Sequence, residues 1–507
     1  MAPHQPFDPT RFSRRQLLGA GLAGAAAAGI GSLGDGGAYA ATTPSGFAPS
    51  GAKGLGPGGR LLKPDTRPFP HLPAGTDTLP KIEHIVVLMM ENHSFDDHWG
   101  MLGRGDGYTL GPDGKPVNYC PNPAGGYVAS FHNPNTVGYA DTHISQSWDA
   151  SHISWDHGTN RGFVDACGPA SVGYWTGDDL PFYYSMAKRF PIGDRYFCSV
   201  MAQTYPNRRF LIAATALGDV ATQIATGVSH TDAPNGTIFD RLDHYGISWK
   251  DYYPDLPTAA LFLPEYENNL TDGKMAHVEQ FLLDAKAGNL PSFSLVDPYE
   301  NYSEENNDIS IGEAYAATII NAVLQSPNWE KTALIFTYDE HGGWYDHVPP
   351  VPAVRPDNVP PEITVPPDQP GSYDYTGFRV PCAVVSAWSK RDHVSHVVYD
   401  HTSVLKLVET KWNLPAMTYR DANAHNMLDF FDFSGQHGPF AEPPELAKPL
   451  NPFTGPLPAG SDDPSDFHPI AVAVPGSGPA PGAQIAKPPK HADTLIARHT
   501  KKALAEP

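Results

Sequence analysis

Four runs of almost wholly apolar residues constrain this chain more than any other feature. They are Ile85-Val86-Val87-Leu88-Met89-Met90, Phe293-Ser294-Leu295-Val296, Ala333-Leu334-Ile335-Phe336-Thr337-Tyr338 and Cys382-Ala383-Val384-Val385-Ser386. Runs of strand length without polar alternation suit strands buried on both faces, the pattern of parallel sheets. Between them, residues 313–324 and 402–412 hold apolar side chains at helical spacing, and Thr402-Ser403 can begin the second helix. Strands alternating with helices predict an α/β fold: a mostly parallel central sheet flanked by helices in one large domain.

In such sheets ligands collect at the carboxyl ends of the strands. There Glu91-Asn92 follows the first run, Asp297 the second and Asp339-Glu340 the third. Carboxylates and an amide carbonyl are hard oxygen donors, suited to Mg²⁺, Ca²⁺ or Mn²⁺. The same groups also cap helices or pair with arginine, and spacing alone does not choose between these uses. A second candidate is Thr204 in Gln203-Thr204-Tyr205-Pro206-Asn207. Pro206 suits a first helical turn, so Thr204 falls at or just before the start of a helix over 208–217. Free N–H groups at such a start favour an anion, and a metal-activated hydroxyl there can attack phosphorus. A plain capping threonine is the competing reading. The chain has 22 histidines, and His152, His341, His347 and His401 lie in clusters. Such groups donate to phosphate oxygens or protonate a leaving alkoxide, and spacing does not say which of them do so.

The formal net charge of −21 repels a phosphate backbone, so no nucleic-acid partner is expected, and it disfavours tight docking on anionic membranes. Gly (48) and Pro (53) predict long ordered loops, above all over 348–372. Ser13-Arg14-Arg15-Gln16-Leu17-Leu18, an Ala/Gly-rich apolar stretch and Ala38-Tyr39-Ala40 read as a twin-arginine signal peptide over 1–40. That predicts use of the twin-arginine export machinery and a secreted, periplasmic or cell-wall-associated enzyme. A Gly/Pro-rich linker or surface arm is expected over 41–80, a catalytic domain over 81–440 and a Pro-rich tail, draped or disordered, over 441–507. Cys120, Cys167, Cys198 and Cys382 permit up to two disulfides and read as structural rather than catalytic.

The segment Ile82-Glu83-His84 through Glu91-Asn92-His93-Ser94-Phe95-Asp96 resembles the N-terminal signature of the bacterial and plant family of phosphatidylcholine-type phospholipase C and acid phosphatase. Tyr338-Asp339-Glu340-His341-Gly342-Gly343-Trp344-Tyr345-Asp346-His347-Val348, Ser326-Pro327-Asn328-Trp329, Gly377-Phe378-Arg379-Val380-Pro381 and Asp400-His401-Thr402-Ser403 are similar to further stretches of that family, in its order, over roughly 81–433. The resemblance implies an alkaline-phosphatase-like fold and one divalent metal ion (Ca, Mg, Mn or Zn) held by Glu91, Asn92, Asp339 and Glu340. It implies that Thr204 is both nucleophile and metal ligand, and that His152 contacts the phosphoryl group. Two departures stand out. Gln146 takes the place of a His common in relatives, and 305–313 carries no His where relatives have an Asn-Asp-x-His-Pro-like segment; the expected phosphate-contacting His is missing or replaced, by Asn306, Asn307 or a His from elsewhere. Larger haemolytic relatives carry extra C-terminal domains, and the Pro-rich tail predicts the compact type. The expected activity is phospholipase C on a glycerophospholipid, with a transient membrane surface as possible partner. The alternatives are an acid phosphatase on soluble monoesters and a non-catalytic, metal-stabilised surface protein on the same scaffold. The C/S-x-P-x-R motif of sulfate-ester hydrolases does not occur at the expected strand end.

Overall fold

A computed structural model of the chain describes residues 60–133, 136, 144–222, 233–254, 256–262, 269, 271–298, 308–363, 369–451 and 483–505. The signal-peptide reading of 1–40, the first part of the 41–80 linker, Asn306 and Asn307, and 452–482 of the Pro-rich tail lie outside the described residues.

Eight strands, numbered in chain order, build the central sheet. Across it they run β12 (Val394–Ser395), β6 (Ile192–Gly193), β11 (Cys382–Ser386), β10 (Thr332–Tyr338), β1 (His84–Met90), β9 (Phe293–Val296), β7 (Trp249–Tyr253) and β8 (Met275–His277). β1 pairs in parallel with both β10 and β9, and β7 with β9 and β8. β11 runs antiparallel to β10 and β6, so the sheet is mostly parallel. All four apolar runs are strands, and every residue of β9, β10 and β11 is buried. The helices Ile309–Leu324 and Val278–Ala287 pack on the sheet, the first against β1 and β10 and the second against β7 and β8. A three-stranded sheet of β2 (Tyr119–Pro121), β3 (Tyr127–Ala129) and β13 (Ala483–Ile485) and a pair of β4 (Phe131–His132) with β5 (Gly173–Tyr174) lie outside it.

Three expectations change. The helix over 402–412 is His401–Trp412, and Asp400 caps it, its carboxylate accepting from Thr402 N at 2.9 Å. Thr402 and Ser403 therefore sit inside the first turn. The helix expected over 208–217 is Thr204–Ala213; Ala214 takes a left-handed conformation (φ 57°) and ends it early. In the tail, 483–505 is ordered: β13 adds to β3, and Ala492–Ala503 is a helix tied down by Arg161 and Tyr119, both of which reach Asp493. The described part of the arm, 60–80, packs on the body through Asn413 and Asn423, as in Phe69 N to Asn413 Oδ1 at 2.9 Å. All four cysteines are free and buried, so none is in a disulfide, and burial pushes the Cys120 thiol up to about 12. No helix of the described residues is long and apolar enough to cross a membrane.

A buried ion network ties the two long motifs together beneath the sheet ends. Arg379 holds Asp346 and Asp96 at 2.9 Å each. His347 donates from Nδ1 to Asp96 at 2.7 Å and from Nε2 to Asp106 at 3.3 Å. Arg195 and His396 extend the network to Asp106 and Asp194. Burial disfavours a charged His347, yet Asp96 and Asp106 outweigh it and raise its pKa to about 10.

Candidate active site

The strand ends and one helix start meet in a cavity of about 250 Å³. Its walls include Glu91, Asn92, Gln146, Thr204, Arg208 and Asp297. Met90 and Tyr338 are register partners in β1 and β10, so Glu91 and Asp339 leave neighbouring strands side by side. Asn92 then turns sharply (φ 61°), which asparagine tolerates. Its N–H donates to Asp339 Oδ1 at 3.0 Å, and Glu340 N donates to the same oxygen at 2.7 Å. His401 donates from Nε2 to the Asp339 carbonyl at 2.7 Å, while the Tyr196 hydroxyl lies 3.2 Å from its Nδ1. Those two bonds fix the His401 ring as a neutral tautomer, and burial lowers its pKa.

Thr204 is the first residue of its helix, and Pro206 occupies the first turn. Its hydroxyl donates toward Glu91 Oε2 at 3.4 Å and Asn92 Oδ1 at 3.3 Å. A hydroxyl that gives its one proton to those oxygens keeps its lone pairs for an electrophile. Thr204, Glu91, Asn92 and Asp339 are thus brought together. Glu340 sits beside them, its Oε2 accepting from Gly342 N at 2.8 Å and lying 3.2 Å from His341 Nδ1. Burial pushes His341 down to about 3, so it is neutral.

These donors are carboxylate, amide and hydroxyl oxygens, a set that fits a hard divalent cation. Asp339 Oδ2, fully buried, accepts no hydrogen bond from the described residues and faces Arg208 Nε at 3.3 Å. Among the described residues, two other groups have metal-like spacing: His93, Asp97 and His98, and Asp96, Asp346 and His347. In both, the imidazole Nδ1 atoms already bond to the carboxylates, as in His93 to Asp97 at 2.6 Å.

His152 is not among the residues lining this cavity. It lies in the helix Trp148–Trp155, donates from Nδ1 to the Trp148 carbonyl at 2.8 Å, and packs on the Trp148 ring. Those contacts hold the ring along its own helix, where it lines a separate cavity with Trp155 and Gln369. Gln146, which replaces the expected histidine, does reach the cavity wall.

The residue that spacing arguments missed is Arg208, only 4% exposed. Its guanidinium pairs with Glu91 Oε1, with Asp297 Oδ1 at 2.8 Å and with Asp339. Burial alone lowers an arginine pKa; here Glu91, Asp339 and Asp297 more than offset that and raise it. Its spacing four residues after Thr204 places it on the same helical face, but does not reveal its three distant carboxylate partners.

The model of the Phosphoesterase family matches residues 82–415. Phospholipase C B of Mycobacterium tuberculosis is 32% identical over 428 residues, covering 73% of this chain and 80% of that protein. Non-specific phospholipase C1 of Arabidopsis thaliana is 31% identical over 388 residues, covering 69% of this chain and 71% of that one. Among solved structures, a protein in the alkaline phosphatase superfamily from Vibrio parahaemolyticus aligns with a TM-score of 0.36 at 12% identity, over 75% of this chain and 74% of that one.

Proposed function

The chain belongs to the phosphoesterase family and is a hydrolase of phosphoric ester bonds, and on that premise we propose that it is a metal-dependent phospholipase C with Thr204 as nucleophile. One observation carries the mechanism. The Thr204 hydroxyl stands at a helix start, 3.3 Å from Asn92 Oδ1 and 3.4 Å from Glu91 Oε2, on the wall of a cavity of about 250 Å³.

Glu91, Asn92, Asp339, Glu340 and Thr204 would hold one divalent cation. When bound, that ion lowers the pKa of the hydroxyl and neutralises charge on the phosphoryl oxygens. Thr204 then attacks phosphorus in line with the diacylglycerol oxygen, which leaves taking a proton from solvent, and the phosphorylated head group stays on Thr204. Glu91 Oε2 is placed to accept the hydroxyl proton. The free N–H groups at the start of the Thr204 helix favour the anionic phosphoryl oxygens. Water releases the phosphorylated head group in the second step. His152, in its separate cavity, takes no part in this scheme.

The similarity to two phospholipases C favours a lipid diester over a soluble monoester. Hydrolysis of phosphatidylcholine micelles and of a soluble aryl phosphate separates the two. Turnover of the aryl ester alone would leave an acid phosphatase. Thr204→Val keeps the shape and removes the oxygen; turnover should fall about 1,000-fold or more while the melting curve is kept. Surviving turnover would remove Thr204 from the reaction. Export through a twin-arginine signal over 1–40 is proposed from Arg14-Arg15 and Ala38-Tyr39-Ala40. Retention of an Arg14→Lys, Arg15→Lys variant in the cytoplasm checks it.

A further inference from the structure

We propose that Arg208 is a positioning residue that registers the helix carrying Thr204 against the ends of three neighbouring strands. The inference rests on the reading of Thr204 as nucleophile. β9, β1 and β10 are consecutive in the sheet, and each ends in a carboxylate: Asp297, Glu91 and Asp339. One guanidinium meets all three. Nη1 donates to Asp297 Oδ1 at 2.8 Å, Nη2 donates to Glu91 Oε1, and Nε lies 3.3 Å from Asp339 Oδ2. Nη2 also reaches the Met89 carbonyl at 3.3 Å, and Nη1 reaches Thr258 Oγ1 at 3.2 Å.

Only arginine can do this. Its planar fork offers five donors in fixed directions, whereas a lysine ammonium is a point charge that cannot span three strand ends. Asp297 is in turn held by Thr258, whose N–H and hydroxyl donate to it at 2.9 and 2.8 Å. The clamp is therefore anchored through Asp297 on Thr258. Glu91 divides its two oxygens: Oε1 takes Arg208 and Oε2 faces the Thr204 hydroxyl. The guanidinium thus fixes the carboxylate on which the nucleophile is aimed, one helical turn from the nucleophile itself. Misplacing a reacting group by about 1 Å costs about 100-fold in rate, so this register governs turnover more than substrate binding.

The test compares Arg208→Met, Arg208→Lys, Asp297→Asn and the double variant Arg208→Met/Asp297→Asn with the full wild-type chain. Readouts are kcat and KM on whichever ester the wild type hydrolyses, Mn²⁺ affinity by calorimetry, and thermal melting. Arg208→Met should lower kcat about 100-fold with KM within about threefold. Arg208→Lys should recover about tenfold of that loss. Asp297→Asn should lower kcat less, and the double variant should be no worse than Arg208→Met, because both changes open one clamp. Mn²⁺ should bind Arg208→Met at least as tightly as wild type, since a cation has been removed from beside two carboxylates. Normal kcat, additive losses, or Mn²⁺ binding weakened tenfold would each overturn the proposal. If Arg208→Met does not melt cooperatively, Arg208→Lys and Asp297→Asn decide it by the same kcat and KM split. A wild type inactive on both esters would refute the functional reading alone. The clamp is then judged by whether the Arg208 and Asp297 changes are coupled in melting temperature, and additivity there overturns it.

Discussion

A carboxyl group buried with too few donors keeps its proton, and Glu313 is such a group. It is fully buried; Oε1 accepts from Tyr183 N at 3.0 Å, while Oε2 has no hydrogen-bond partner among the described residues. Burial raises its pKa from 4.5 to about 8, against the pull of the Tyr183 N–H. The folded state therefore binds a proton that the unfolded chain releases above 4.5. The stabilisation is complete below pH 4.5 and lost as pH rises through 8, at up to about 1.4 kcal/mol per pH unit. Glu313→Gln cannot ionise, so its melting temperature should gain on wild type as pH climbs from 4.5 to 8 and match it near pH 4. Calorimetric melts across that range check this, and a pH-independent difference would contradict it. The strand-end oxygen residues were readable because a parallel sheet puts them at one end, and Pro206 placed Thr204. Arg208 was not readable as a centre. Its partners lie 89, 117 and 131 residues away in Asp297, Glu91 and Asp339, and no local pattern encodes a contact of that range.

At the scale of elements, the site depends on two turns that touch. The chain leaves β1 through Asn92 and leaves β10 through Gly342, both with positive φ (61° and 64°). A Cβ on Gly342 would lie 2.0 Å from the Asn92 carbonyl oxygen. Gly342→Ala must therefore push the Asn92 turn away as well as strain its own backbone. The expected cost is about 1–3 kcal/mol for the strain, with more from the clash, and divalent-ion affinity should fall because Asn92 and Glu340 move apart. Chemical denaturation and calorimetric titration measure the two effects; a variant as stable as wild type would show that the turns are not in contact. Strands were legible from apolar runs alone, since burial on both faces leaves a signal that needs no partner. Helix ends were less so. Ala214 ends the Thr204 helix without a glycine or proline to announce it, and Asp400 caps the His401–Trp412 helix two residues ahead of the expected Thr402-Ser403 start.

For the whole molecule, ligand binding and stability are one equilibrium. An ion that binds only the folded chain stabilises it by about 2.7 kcal/mol at one hundred times its dissociation constant. Protein dialysed against a chelator should therefore melt lower and lose turnover, with both recovered on adding back one divalent ion. Unchanged melting and unchanged turnover after chelation would refute the metal-dependent reading. The α/β architecture was legible because alternating strands and helices admit few arrangements. The fate of the C-terminal segment was not. Proline content suggested drape for 441–507; 452–482 lies outside the described residues, and 483–505 closes a three-stranded sheet and adds a helix, held by pairings with β3 and Arg161 that composition does not reveal.

The order β9, β1, β10 at the centre of the sheet has a further consequence for how the protein is made. Glu91 is synthesised early, Thr204 and Arg208 follow, and Asp339 and Glu340 emerge some 250 residues after Glu91. The middle strand of the three is the first to leave the ribosome, and both of its neighbours come later. On the proposed metal reading the site is complete only once β10 has joined β1, so ion occupancy would report a finished sheet centre.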